Sequence, residues 1–326
     1  MRRWRTRRRP PAVPDPPAAP GPPAAPDPSP DPDPAPPEAV GDGPRPAAFP
    51  DGHFYSPVVN TADMEARRLE IWPSEPEVPG IEFDDEFEQQ VLRELMPRYL
   101  ADFDYAENGT DDAPDLRFFI RNGQFSYLDC RVLFTLLRHW RPARMIEVGS
   151  GFSTLLSADV NQRFLGGAME LICIEPYPRP FLTAGVPGVS ELVTERVELS
   201  DPRRFETLRA GDVLFIDSSH VAKTGSDVNM LYFEVLPRLA QGVRVHIHDI
   251  FLPADYPQHW VIGENRSWNE QYVVRALLMD STRYRPVFGC AHAFSFHPDL
   301  VASALGRPPG QAYGGGSLWV DVASPR

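Results

Sequence analysis

The stretch Arg-Met-Ile-Glu-Val-Gly-Ser-Gly-Phe-Ser at residues 144–153 decides the fold of this chain. It begins as a short apolar strand containing an acid, continues as a tight Gly-x-Gly turn and ends at the start of a helix. Glycines let the backbone approach a ligand, and a helix N-terminus presents unpaired N–H groups. The stretch therefore predicts an α/β fold that holds a nucleotide-type ligand at the carboxyl edge of a parallel sheet.

Glu147 stands two residues before the first glycine and restricts the kind of ligand. Its negative charge would repel the pyrophosphate of a dinucleotide and attract a ligand with a positive charge. The third glycine of the dinucleotide fingerprint is also missing, because its place falls on Thr154. Both observations disfavour an NAD-dependent oxidoreductase.

Eight short motifs follow one another along residues 53–322 in the order of a known family. They are Phe-Tyr-Ser-Pro at 54–57, Asn-Gly-Gln-Phe-Ser-Tyr at 122–127, Glu-Val-Gly-Ser-Gly-Phe-Ser-Thr at 147–154, Ile-Glu-Pro-Tyr at 174–177, Phe-Ile-Asp-Ser-Ser-His at 215–220, His-Asp-Ile-Phe at 248–251, Trp-Asn-Glu-Gln-Tyr at 268–272 and Gly-Gly-Ser-Leu-Trp at 315–319. In these motifs the chain resembles bacterial class I methyltransferases that use S-adenosylmethionine (SAM). The resemblance implies a doubly wound, mostly parallel seven-strand sheet of Rossmann-like type, with SAM as cofactor.

The resemblance also implies which residues contact SAM. In the family these are the glycine-rich turn and the acid after the second strand, here Glu147, Gly149, Ser150, Gly151 and Glu175. An acid at the position of Glu175 can accept hydrogen bonds from both ribose hydroxyls. The motif before the first strand is expected to close over the cofactor through Asn122, Phe125, Ser126 and Tyr127, although Tyr127 suits a core aromatic equally well. Ser126 precedes Asp129 by three residues, which predicts a capped helix start.

A second group of polar residues follows the strands predicted at 213–216 and 243–247. Asp217 and His220 come after the first of these strands, and His248 and Asp249 after the second. The arrangement resembles that of metal-dependent catechol-type O-methyltransferases. The resemblance implies Asp217, His248 and Asp249 as ligands of Mg²⁺ or Mn²⁺, and His220 at the position of the family's lysine base.

Two features of this group depart from that family. A histidine in place of an aspartate favours Mn²⁺, Fe²⁺ or Zn²⁺ over Mg²⁺, or no metal at all. An imidazole with an ordinary pKa of about 6.5 suits a general base near neutral pH. We therefore predict Asp217, His220 and Asp249 as a catalytic unit.

Composition divides the chain unevenly. Residues 1–50 contain 18 of the 38 prolines and balance their charges almost evenly, which predicts a disordered arm over 1–52. The remainder, 53–326, is predicted to be one methyltransferase domain with a helical cap at 53–141 and a Rossmann-like core at 142–326.

The net charge of the chain, −13, arises in this remainder and disfavours nucleic acid as a partner. No apolar run is long enough to span a membrane, and the three widely spaced cysteines fit a reducing cytoplasm.

The predicted function is methyl transfer from SAM to an oxygen of a small-molecule acceptor, with His220 as general base. The long aromatic and proline-rich loop at 250–267 is predicted to be a lid on the acceptor side. N-methylation is an alternative, because an amine acceptor needs no metal. A non-catalytic SAM- or nucleotide-binding interaction protein is another alternative. The sequence leaves the acceptor and the oligomeric state open.

Overall fold

The computed structural model describes residues 46–110, 117–307 and 315–324. Most of the predicted arm therefore lies outside the described residues. Residues Ala48–Arg326 group into one compact unit by their contacts. No helix within the described part of the chain is both long enough and apolar enough to cross a membrane.

A seven-stranded sheet forms the centre of the fold, with the order β3-β2-β1-β4-β5-β7-β6. The strands are β1 Arg144–Val148, β2 Glu170–Ile174, β3 Glu191–Val193, β4 Val213–Ile216, β5 Arg244–Ile247, β6 Tyr284–Gly289 and β7 Leu318–Val322. Neighbours among β1 to β5 pair in parallel, and β7 pairs antiparallel with both β5 and β6. The predicted mostly parallel, doubly wound sheet is confirmed.

Helical segments cover both faces of the sheet. The α-helices are α1 Thr61–Ala66, α2 Arg68–Ile71, α3 Asp85–Gln90, α4 Met96–Tyr99, α5 Tyr127–Trp140, α6 Phe152–Phe164, α7 Pro180–Thr183, α8 Asp227–Met230, α9 Glu270–Leu278, α10 Cys290–Phe296 and α11 Pro298–Ala304. The π-helical turns are Val91–Leu95, Leu231–Val235 and His259–Gly263, and the 3₁₀ turns are Leu100–Asp102, Val197–Leu199, Pro202–Thr207 and Leu236–Arg238.

Alternate residues of each strand enter opposite cores, as expected for a parallel sheet buried on both faces. In β4, Phe215 packs into the core beneath α5 and α6, whereas Leu214 and Ile216 pack into the core on the other face. The parallel direction of β1 to β5 places the site, because the residues that follow each of these strands emerge at the same edge of the sheet.

Two sequence patterns mispredict the local structure, and a third predicts it only in part. The apolar pattern predicts a strand near 191–199, but β3 ends at Val193 and a 3₁₀ turn follows at Val197–Leu199. The pattern over about 60–100 predicts amphipathic helix, but irregular backbone separates α2 from α3. The predicted helix start at Ser126 is confirmed, since Ser126 is the N-cap residue of α5, but its side chain makes no capping bond. Asp129 instead accepts hydrogen bonds from the N–H groups of Gly316 at 3.2 Å and Ser317 at 2.8 Å, ahead of β7.

Candidate active site

The carboxyl ends of β1, β2, β4 and β5 border a cavity of about 700 Å³. Predicted site residues from all four strand ends line it, including Ser150, Glu175, Asp217 and Asp249. An adjoining cavity of about 420 Å³ lies beside the ends of β1, β2 and β4. The exposed Lys223, the only lysine in the sequence, lies on the wall of this second cavity.

Gly149 connects β1 to the start of α6 in a conformation that favours glycine. Its φ is +80°, and its N–H donates to the carbonyl of Ile174 at 3.0 Å. A Cβ at this position would lie 1.6 Å from the carbonyl oxygen of Asp217. Close packing against the segment after β4 therefore requires glycine at position 149. This requirement is separate from the predicted approach of a ligand to the turn.

Glu147 does not line either cavity, although the sequence predicted a cofactor contact. Its side chain is fully buried, and its oxygens accept hydrogen bonds from Ser153 Oγ at 2.6 Å and Thr154 Oγ1 at 2.8 Å. Burial raises the pKa of its carboxyl group to about 7, and these hydroxyl donors oppose the rise. Glu147 therefore holds the first turn of α6 in place through these two hydrogen bonds. Because its side chain lines neither cavity, the geometry does not favour its predicted role as a charge that attracts the ligand.

Glu175 lies on the walls of both cavities, as its predicted role requires. Its Oε2 accepts from the N–H of Ser150 at 3.1 Å, and its Oε1 accepts from the N–H of Tyr177 at 2.8 Å. The acid is therefore held rigidly beside the glycine turn. Each carboxylate oxygen retains a further lone pair that could accept from a ligand hydroxyl.

The motif before α5 reaches the cavity through only one of the residues predicted to do so. Phe125 lines the cavity, whereas Asn122, Ser126 and Tyr127 do not. Gln124, which the sequence did not single out, also lines it. The side chain of Asn122 organises this turn by donating to the carbonyls of Phe119 and Phe125 and accepting from two N–H groups. Because the chain enters the helix at Tyr127, the residues that face the cavity are those just before the cap.

Asp217, His248 and Asp249 come together as predicted. One ligand atom from each, a carboxylate oxygen or an imidazole nitrogen, lies within 4.8 Å of the others. His248 Nδ1 is 3.4 Å from Asp217 Oδ1 and 3.5 Å from Asp249 Oδ1. The three side chains follow β4 and β5, which are neighbours in the sheet, so their meeting follows from the topology.

His248 is buried with neither ring nitrogen in a hydrogen bond among the described residues. Its Nε2 faces Asp129 Oδ2 at 3.6 Å, beyond normal hydrogen-bond length. Burial lowers the pKa of this imidazole, but the carboxylates of Asp249 and Asp217 raise it more strongly, so the net pKa is well above the ordinary value. A site with this charge pattern favours a cation, either a proton or a metal ion.

His220 lies on the other side of the same carboxylates. Its Nε2 is 3.4 Å from Asp217 Oδ1 and 3.3 Å from Asp249 Oδ2. Burial lowers the pKa of its imidazole, but the contacts with Asp217 and Glu270 outweigh burial and raise the pKa to about 10. The ordinary imidazole pKa assumed in the sequence analysis therefore does not apply to this cluster without a bound cation.

Glu270 is a site residue that sequence reasoning missed. It opens α9, where an acid is expected for helix-dipole reasons alone. In the structure its side chain is fully buried, and Oε2 lies 2.8 Å from His220 Nδ1. Only the three-dimensional approach of α9 to the loop after β4 reveals this contact.

The neighbouring histidine His246 has a structural role. It is fully buried, its ring stacks on Phe215 at 3.8 Å between centroids, and its Nε2 lies 2.9 Å from Ser317 Oγ. Burial lowers its pKa well below the ordinary value. His246 therefore packs as a neutral ring beneath the site.

The loop predicted to be a lid borders the cavity. Trp260 and Trp268 line it, and Arg266 lies over both indole rings at 4.4 and 4.8 Å from their centroids. Trp268 also contacts the ring of His220, with centroids 4.5 Å apart. The loop is held from outside by the indole N–H of Trp72, which donates to the carbonyl of Tyr256 at 2.7 Å.

The residues around the turn suit SAM. Glu175 offers carboxylate oxygens for ribose hydroxyls, and the first turn of α6 opens toward the cavity at Gly151, where a Cβ would meet only Gln124 at 3.8 Å. Ser218 Oγ, on the wall of both cavities, is buried without a hydrogen-bond partner in the described structure. A hydroxyl of this kind is available to a polar ligand or to water in the cavity.

Comparison with known proteins identifies the family. Residues 146–250 match the model of a family described as a methyltransferase domain. An uncharacterised protein of Archaeoglobus fulgidus is 37% identical over 164 residues, which are 49% of this chain and 73% of that protein. With the seven-strand order described above, these matches show that the chain belongs to the class I SAM-dependent methyltransferases. SAM is accordingly its cofactor.

Solved structures give more distant similarities. An O-methyltransferase from Bacillus cereus in complex with S-adenosylhomocysteine (SAH) is 14% identical with a TM-score of 0.36, covering 72% of this chain and 91% of that one. A plantazolicin methyltransferase, in complex with SAH and a triazolic desmethyl analogue, is 12% identical with a TM-score of 0.38, covering 73% of this chain and 98% of that one.

Proposed function

We propose that this protein transfers the methyl group of SAM to a hydroxyl oxygen of a small-molecule acceptor, with a divalent cation at Asp217, His248 and Asp249 and with His220 as the base. The proposal treats 53–141 as a helical cap and 142–326 as the catalytic core. The observation that carries it is the convergence of two carboxylates and a buried imidazole on the wall of the cavity.

The donor set at this convergence fits a cation. Two carboxylates supply the negative charge that Mg²⁺ and Mn²⁺ prefer, and the imidazole nitrogen shifts the preference toward Mn²⁺. His248 Nδ1 has no hydrogen-bond partner among the described residues, so it is available as a ligand atom. A cation would also relieve the repulsion between the carboxylates of Asp217 and Asp249.

The chemistry at the acceptor is a proton transfer coupled to a methyl transfer. SAM supplies an electrophilic methyl group, because its positively charged sulfur leaves as a neutral thioether. His220 Nε2 takes the hydroxyl proton as the acceptor oxygen bonds to the methyl carbon. Trp260 and Trp268 would exclude water and orient an acceptor of small-molecule size against the lid.

The proposed role of His220 as the base depends on the proposed cation. Without a cation, Asp217 and Glu270 raise the pKa of His220 to about 10, so its ring carries a proton at neutral pH. Positive charge at Asp217 and Asp249 opposes that effect. We therefore expect no base activity from the chelated protein near neutral pH.

Calorimetry of Mn²⁺ binding to chelator-stripped protein tests the cation, and the chain offers a matched comparison. Asp85, Glu88 and His297 form a second group whose ligand atoms lie within 4.8 Å of one another. We expect Asp249→Asn to abolish Mn²⁺ binding and His297→Gln to leave it unchanged. The reverse result would place the cation in the second group and end the metal part of the proposal.

Transfer of label from methyl-labelled SAM to a metabolite extract tests the reaction. EDTA should abolish transfer, and added Mn²⁺ or Mg²⁺ should restore it. Transfer that resists EDTA and appears on amines would favour N-methylation. Absence of transfer to any small molecule, with SAM still bound, would favour a non-catalytic binding protein.

A further inference from the structure

The buried end of α9 holds an acid with two specific partners. Glu270 Oε2 lies 2.8 Å from His220 Nδ1, and its Oε1 accepts from the Tyr232 hydroxyl at 2.9 Å. Burial, followed by the charge of Glu270, raises the pKa of the Tyr232 phenol well above its ordinary value. The phenol therefore stays protonated and donates to the acid.

The backbone reinforces this contact. The carbonyl of His220 accepts from the N–H groups of Asn269 and Glu270, both at 3.1 Å. The Asn269 side chain accepts from the N–H of Ala222 at 2.6 Å and donates to its carbonyl at 3.2 Å. The loop that carries His220 is thus fastened to the first residues of α9, and the ring has little freedom to turn away from Glu270.

A helix-dipole role does not account for this acid. An acid that serves only the dipole can remain exposed to solvent in the first turn. Glu270 is fully buried, and its described side-chain bonds go to His220 and Tyr232. Burying a carboxylate is costly unless its partners compensate, so the His220 and Tyr232 contacts are what stabilise it there.

We propose that Glu270, held by Tyr232, is a positioning residue that keeps the proton of the His220 ring on Nδ1 and so presents Nε2 to the reacting oxygen. The inference rests on the proposed function, because it assumes that Nε2 of His220 receives the acceptor proton. A carboxylate that accepts from one ring nitrogen fixes both the tautomer and the orientation of a histidine. The acid itself lies behind the ring and touches no reacting atom.

The chain contains a matched control for this pair. Glu88 is also fully buried, and its Oε2 lies 2.8 Å from the Nδ1 of another histidine, His292. Its Oε1 accepts from the N–H of Gly289 at 2.9 Å. Neither Glu88 nor His292 lines the cavity of the candidate active site. Glu88→Gln therefore reproduces the loss of a buried carboxylate beside a histidine without touching the site.

The experiment uses ¹⁵N-labelled histidine in the full chain with Mg²⁺ and SAH, and His220→Ala assigns the signal. We expect a proton on Nδ1 of His220 in the parent protein and in Glu88→Gln. In Glu270→Gln the amide N–H₂ should donate to Nδ1, which moves the ring proton to Nε2. Label transfer from SAM should then fall by about 10²–10⁴-fold, as for other wrong-tautomer histidines, with the KM for SAM within twofold.

The outcomes separate the two proposals. If His220→Ala stops transfer while Glu270→Gln retains both transfer and the Nδ1 proton, the positioning role is wrong and the base assignment survives. If His220→Ala transfers at the parent rate, the base assignment fails and the positioning role fails with it. Should Glu270→Gln not fold, Tyr232→Phe serves instead. Tyr232→Phe is expected to slow methyl transfer about fivefold and to give a mixture of the two His220 tautomers. An unchanged rate and an unchanged tautomer would overturn the positioning role of Glu270 and Tyr232.

Discussion

Asp129 and His248 face one another beneath the site, with Asp129 Oδ2 3.6 Å from His248 Nε2 and both side chains nearly inaccessible to solvent. The acid reaches this place from the first turn of α5, and two backbone N–H groups hold its oxygens. It therefore stands where an outer carboxylate would orient a ligand histidine.

Asp129→Asn is expected to weaken Mn²⁺ binding by about 10- to 100-fold, because the amide supports the His248 ring less well. SAM affinity should stay within twofold, since Asp129 lines neither cavity. Calorimetry with each ligand makes the comparison. Equal loss of both ligands would show that the substitution disturbs the fold and not the ring.

Glu175→Ala is expected to weaken SAM binding by about 1.5–3 kcal/mol, the scale of a lost charge-assisted hydrogen bond. SAH should lose the same amount, because the expected contact is with the ribose and not with the methyl group. A loss confined to SAM would assign Glu175 to the sulfonium end. Calorimetric titration with the two ligands distinguishes these cases.

Gly149→Ala is expected to destabilise the fold by about 3 kcal/mol or more, because its Cβ would overlap the Asp217 carbonyl. Gly123→Ala is the matched control, since Gly123 has a φ of +77° and nothing within 4 Å of its added Cβ. That change should cost only about 1–2 kcal/mol of conformational strain. Urea unfolding of both variants gives the difference, and equal costs would contradict the clash.

Glu147 should make stability depend on pH. Its pKa rises from 4.5 to about 7 on folding, so the native state keeps the proton over a range where the unfolded chain releases it. The contribution of this proton is fully present below pH 4.5 and is lost as the pH rises to 7. Relative to Glu147→Gln, the parent protein should lose about 2–3 kcal/mol of unfolding free energy between about pH 5 and pH 8. Urea unfolding at several pH values gives this free energy for both proteins. An equal change with pH in the two proteins would contradict the prediction.

Removal of residues 2–47 is expected to leave SAM binding and the melting temperature unchanged. Every described residue that lines the two cavities lies at 123 or beyond, and the composition of the arm disfavours packing. Removal of residues 2–60 should be harmful, because the N–H of Val59 donates to Ser267 Oγ at 3.1 Å beneath the lid. Thermal unfolding of the two truncations tests the boundary.

The strands were predictable from local sequence pattern. The meeting of Asp217, His248 and Asp249 was predictable because they follow neighbouring parallel strands. Short apolar runs identified β1, β2, β4 and β7 almost to the residue, and the ends of neighbouring parallel strands had to meet. The order of the motifs along the chain indicated the family and its mostly parallel sheet. In such a sheet the residues that follow β4 and β5 emerge at one edge, which brings Asp217 and Asp249 together.

Residues whose local setting offered a simpler explanation were misjudged. The spacing of Ser126 and Asp129 matches a capping pattern, yet the acid bonds to the chain before β7. Glu270 matches a first-turn acid, yet it supports His220. Glu147 was predicted to contact the cofactor, yet its hydrogen-bond partners are Ser153 and Thr154 in the first turn of α6. Short-range pattern cannot show which of two possible partners a buried carboxylate finds in space.

The single lysine has a practical consequence. An amine-directed fluorophore can attach to this protein only at Lys223 and at the amino terminus, and Lys223 is exposed on the wall of the smaller cavity. A dye at that place would sense changes in polarity beside the ends of β1, β2 and β4. Dissociation constants for SAM analogues could then be read from emission, without a purified acceptor and without engineering a cysteine.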